Sequence, residues 1–146
     1  YCIATHDITI GLIEVFSFLL IRKYCGGYHC QSSTVCLIFS AIMLIGIAWL
    51  SSFIKPSLYM FIVLIIADAE LIIKGPVISV NHSVSDSEKK YYHRCLIGIL
   101  AVFNIIIIAA TVLHLYRTAS CISIVIIFCF ISHIACMTEK NRKLYY

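Results

Sequence analysis

The sequence predicts an all-α fold, a polytopic bundle of transmembrane helices, and three observations carry that expectation. Its 146 residues are 62% hydrophobic and 12% charged, with a mean hydropathy of +1.00. Soluble domains run nearer ~45–50% apolar and ~25% charged. The apolar residues fall into runs close to the roughly 20 residues that a helix needs to cross a bilayer. The basic residues lie between those runs, with a bias to one side. A soluble domain of this size cannot bury so much apolar surface, which excludes an ordinary soluble enzyme, a disordered regulator and a secreted disulfide knot.

Five segments qualify as spans. The first, 1–21, is apolar from Ile8 onward but carries His6, Asp7 and Glu14. The others are 35–54, 57–73, 95–116 and 120–137. Lys55-Pro56 joins the second to the third, and Arg117 lies between the fourth and fifth. Only the connectors 22–34 and 74–94 are longer. In the second of these, Ser85 followed three residues later by Glu88 reads as a capping box, the start of a helix that runs into the fourth span.

Sorting basic residues by side sets the orientation. One side collects Arg22, Lys23, Lys74, Lys89, Lys90, Arg94, Lys140, Arg142 and Lys143; the other holds Lys55 and Arg117. Nine against two places both long connectors and the C-terminal tail in the cytoplasm. Tyr1 then lies outside, so a further helix is expected upstream, giving six spans in the intact protein. Most of the eight cysteines, Cys25, Cys30, Cys36, Cys95 and Cys136 among them, fall on or near the cytoplasmic side. Thiols stay reduced there, so the even count does not imply four disulfides.

The first connector carries the chemistry. Gly26-Gly27 breaks any helix and lets the backbone turn sharply. Ser32, Ser33 and Thr34 are good N-caps before an apolar run; with Ser33 as the cap, Cys36 is the third residue of the second span. A helix N-terminus favours a thiolate over a thiol. His29 lies seven positions earlier, roughly 10 Å along an unbroken helix, too far for a thiol–imidazole pair. The pair forms only if His29 sits on non-helical chain folded back over the helix start. Three other readings stand beside a Cys-His catalytic pair. Cys36 is a small packing residue, or Cys25, His29, Cys30 and Cys36 hold Zn²⁺ in a spacing unlike common zinc patterns, or Arg22-Lys23 is a topology signal alone.

Those residues resemble the AgrB family, membrane-embedded cysteine endopeptidases of Gram-positive quorum sensing. Arg22, Gly26, Gly27, His29 and Cys36 match the family pattern R-x3-GG-x-H-x6-C, and Ser40 is a further family-like position. Gly75-Pro76-Val77 and the later Glu88-Lys89-Lys90 look like the family's A/G-P-V…EKK segment, and a final span with a Lys-rich tail agrees. The family's segment before Tyr1 is absent. The resemblance implies cleavage of an AgrD-like propeptide on its C-terminal side, with Cys36 forming the thioester and His29 as base. A side chain within the substrate then captures the acyl group, giving a cyclic thiolactone. It implies no cofactor or metal, a multi-pass bacterial membrane protein with its site facing the cytoplasm, and a homodimer; nucleic acid is not an expected partner.

Ionisable residues inside spans default to functional hypotheses. Asp68, Glu70, Glu14 and His133 each qualify to orient His29, with Asp68 the first choice; the bland alternative pairs the acids with Lys74 and Arg22. Asn104 reads as an interhelical hydrogen-bonding residue. Lys89 and Lys90 are expected to meet an acidic substrate tail or anionic lipid head groups. Two other classes compete with the peptidase: a small transporter or channel subunit using Asp68, Glu70 and Glu14, and a Cys/His metal or redox sensor.

Overall fold

The computed structural model describes residues 8–25, 33–76 and 85–144. Among them every regular element is an α-helix: α1 Ile8–Cys25, α2 Ser33–Ser51, α3 Leu58–Lys74, α4 Asp86–Val112 and α5 Tyr116–Leu144. Two are long and apolar enough to cross a membrane, over Asp86–Val112 and Tyr116–Thr138.

The way each helix divides its faces shows what solvent it was selected for. On α4, Leu96, Leu100, Phe103, Ile107 and Ala110 are buried at alternating spacings of three and four, one continuous stripe. Its opposite face exposes Val102, Ile105, Ile108 and Val112, as apolar as the buried one. On α1, Glu14 and Ser17 are buried beside Phe18 and Ile21, while Leu12, Phe16 and Leu19 are exposed. Apolar faces turned outward are consistent with a membrane protein.

Helix α5 is the axis, packing against all four others. Residues 119–126 are buried on every side. That run includes Ala119, Ser120, Cys121 and Ser123, small side chains that let neighbouring backbones approach closely.

The helix ends follow local chemistry. Ser57 caps α3, accepting a hydrogen bond from the Met60 backbone N–H at 3.4 Å. At the other end Gly75 adopts φ +67° and donates its N–H to the Leu71 carbonyl at 3.0 Å. That positive φ suits glycine, and Pro76 follows. The capping box of α4 is present in full: Ser85 Oγ accepts from the Glu88 N–H, and Glu88 Oε2 accepts from the Ser85 N–H at 2.9 Å. Helix α4 thus starts nine residues before the apolar run at Cys95, as the capping box implied.

The α4–α5 break departs from expectation. The turn is Leu113-His114-Leu115, and Arg117 sits inside the first turn of α5. Leu115 N–H reaches the Ala110 carbonyl at 2.8 Å and His114 N–H reaches Thr111 O at 3.2 Å, with His114 at φ 60°. This is the Schellman helix stop with histidine in the place glycine usually takes. The chain offers no Gly or Pro here, so the charge of Arg117 was the only visible break signal.

Successive helices run in opposite directions. The C-terminal ends of α1, α3 and α5 therefore gather with the N-terminal ends of α2 and α4. Arg22 with Ser40, Tyr24 with Tyr92, His93 with Ile72 and His133 with Gly75 all meet at that end. It is also the end where Arg22, Lys23, Lys74, Lys89, Lys90 and Arg94 lie. We call it the basic end.

Candidate functional site

Two of the motif's residues are brought together at the basic end. Arg22, in the last turn of α1, donates from Nη1 to Ser40 Oγ on α2 at 2.7 Å. Its guanidinium carbon also sits 5.5 Å from the centroid of the Phe18 ring, one turn back on α1. The aliphatic stem and the ring thus aim the charge across at α2.

Helix α2 begins at Ser33 itself, which makes Cys36 its fourth residue, within the first turn and four residues before Ser40. The expectation that places Cys36 at a helix start therefore holds within one residue. Gly26, Gly27, His29 and Cys30 lie outside the described residues, so the expected fold-back of His29 is a proposal taken up with the function. The Arg22–Ser40 bond ties together the two helices that flank this connector.

Cys25 lies just beyond Arg22 and Lys23. It is fully buried, and burial, with Cys136 nearby, pushes its thiol up to about 12. Burial thus works against the thiolate that a nucleophilic cysteine needs. Among the described residues no group of three or more His, Cys, Asp or Glu side chains could hold a metal ion.

Asp68 is held by α4: Asn104 Nδ2 donates to its Oδ2 at 2.7 Å and to the Leu100 carbonyl at 2.9 Å. Asn104 is thus the interhelical bridge that its position in the fourth span suggested. Asp68 Oδ1 is buried and has no hydrogen-bond partner among the described residues. Glu70 pairs with Lys74 at 2.8 Å, one turn along its own helix. Glu14, also a candidate, is buried against the backbone of Ala48 on α2.

His133 is 1% exposed and donates from Nε2 to the Gly75 carbonyl at 2.9 Å. His93 makes the matching bond to the Ile72 carbonyl at 2.8 Å. Carbonyls only accept, so Nε2 carries the proton in both rings. The last turn of α3 and its Gly-Pro exit are therefore capped from two neighbouring helices. His93 was not singled out by sequence, because a histidine in the polar first turns of α4 carries no signal of its own. Lys89 and Lys90 lie on those same turns, exposed, with Lys89 3.3 Å from Asp86.

A family model described as AgrB, accessory gene regulator B, matches residues 2–133. None of the curated proteins and none of the solved structures compared matches the chain.

Proposed function

The chain belongs to the AgrB family, and from that premise we propose that it is a membrane-embedded cysteine endopeptidase maturing an AgrD-like propeptide. In this reading all five helices cross the bilayer, the basic end faces the cytoplasm, and Cys36 and His29 perform the reaction there. The Cys36 thiolate attacks the scissile carbonyl carbon, the C–N bond breaks, and the protonated His29 gives its proton to the leaving amine. A thiol within the substrate then passes its proton to His29 and attacks the thioester. The Cys36 thiolate leaves and the peptide closes as a thiolactone. Exchange of one thioester for another conserves the acyl bond energy, and exclusion of water at a membrane-edge site suppresses hydrolysis.

The observation that carries this reading is the joining of Arg22 to Ser40. It joins the helices on either side of the connector that bears His29, at a residue four positions after Cys36. Lys89 and Lys90 at the start of α4 offer positive charge to an acidic substrate tail, and Asp68 is the acid we assign to orienting His29. Substitution with propeptide cleavage in membranes as the readout tests the core of the proposal. Cys36→Ala should abolish cleavage. His29→Ala should lower it by about 10²–10⁴-fold, the usual worth of a general base. Cys25→Ala and Cys30→Ala should cleave normally. Cleavage by Cys36→Ala overturns the reading, and loss in all four variants favours a metal site.

A further inference from the structure

Arg22 and Ser40 do more than close the connector. Ser40 follows Cys36 by four residues on the continuous helix α2, and residues at that spacing share a face with Cβ atoms about 5–6 Å apart. The hydrogen bond of 2.7 Å to Ser40 Oγ therefore stations a guanidinium charge beside the residue four positions after Cys36 on α2. Guanidinium holds its charge throughout the pH range of proteins.

In the proposed reaction the protonated His29 adds a second positive charge at Cys36, and other titratable groups surround Arg22. On α1, Lys23 lies over the Tyr24 ring at 5.3 Å, and Cys25 is a buried thiol. On α5, Cys129 lies within electrostatic reach of Arg22, and Cys136 within reach of Cys25. Farther along α5, His133 is committed to the Gly75 carbonyl.

We propose that Arg22, positioned by Ser40, holds Cys36 in its thiolate form. An opposite charge within about 4–6 Å favours the ionised form of an acid by roughly 1–3 pH units, and the N-terminal turn of α2 acts in the same direction. Ser40 is then a positioning residue. It fixes the guanidinium at the depth of the nucleophile, where an unanchored arginine would extend towards the membrane surface. The inference rests on Cys36 being the nucleophile, and the test separates the two.

Full-length protein in membranes is alkylated with iodoacetamide across a pH series, and the rate is read by mass spectrometry on the peptide containing Cys36. Fragment-ion spectra assign each alkylation to Cys36, because Cys25 and Cys30 fall on the same tryptic peptide. Arg22→Gln should move the midpoint of the Cys36 profile upward by about 1–2 pH units. Arg22→Lys, which keeps the charge, should stay close to wild type, and Ser40→Ala should fall between. A profile unmoved by Arg22→Gln overturns the proposal. So does a shift as large in Arg22→Lys as in Arg22→Gln, because geometry rather than charge would then be at work. Cleavage by Cys36→Ala would instead remove the peptidase reading and this inference with it. Loss of cleavage in Cys36→Ala with an unmoved Arg22→Gln profile removes only the role of Arg22.

Discussion

The two ends of the bundle both hold polar side chains with internal partners, but they satisfy them in different proportions. At the basic end the bonds cross between helices: Arg22 to Ser40, His93 to the Ile72 carbonyl, His133 to the Gly75 carbonyl. At the far end hydroxyls turn back on their own helix. Ser51 and Ser52 bond the Ala48 carbonyl, Thr111 bonds Ile107, and Ser123 bonds Ala119. Two polar contacts do cross between helices away from the basic end, Arg117 to Ser52 at a longer 3.3 Å and Glu14 to the backbone of Ala48. In the proposed membrane setting lipid would supply no hydrophobic force between helices, so cross-helix hydrogen bonds and close packing would set their relative positions. A back-bonded hydroxyl satisfies itself without fixing a neighbour. The basic end is thus the end with the shorter bonds between helices, and in the proposed reading it is also the end that carries the reaction.

Substitutions at the basic end should therefore cost the most. His133→Ala removes a fully buried ring and leaves the Gly75 carbonyl without its donor. Those two losses together should destabilise the bundle by about 2–4 kcal/mol, read as the unfolding midpoint in detergent. An effect under 1 kcal/mol would mean that α3 and α5 are held by packing alone, and the contrast between the ends would collapse. Gly75→Ala should come next. A Cβ there meets the His93 ring at 3.9 Å, ordinary contact, so the penalty comes from the backbone at φ +67°. It should be about 1–2 kcal/mol, and His93→Ala should not relieve it. Relief would place the strain in the ring contact.

Much of this was legible in the sequence, because the signals were local. Five helices, the Ser85–Glu88 capping box and the Gly75-Pro76 exit all announce themselves within a few residues. The Arg22–Ser40 bond was not legible, although both residues stood out: nothing in the spacing says that a residue at the end of α1 reaches one on α2. The Asp68–Asn104 bridge was half legible, since a polar residue in each span had to find a partner that only packing names. His93 was invisible, because its meaning depends on a carbonyl 21 positions away. The stop at His114 was misread for a related reason. Histidine tolerates positive φ without advertising it as glycine does, and the nearby charge of Arg117 drew the boundary instead. The central place of α5 was hinted only by its small residues.

Ser123→Ala gives the smallest and most discriminating effect. Ser123 is fully buried, and its hydroxyl donates to the Ala119 carbonyl at 2.8 Å, one turn back on α5. Removing the hydroxyl orphans nothing, because that carbonyl can still accept the helical N–H of Ser123. The bond that is lost links no second helix, and the gap left is one oxygen atom. We expect a change within about 0.5 kcal/mol of wild type, with propeptide cleavage unaltered. A loss as large as that of His133→Ala would show the far end to be pinned as tightly as the basic end. The fastening of helices at the basic end would then be a general property of the bundle and not a mark of that end.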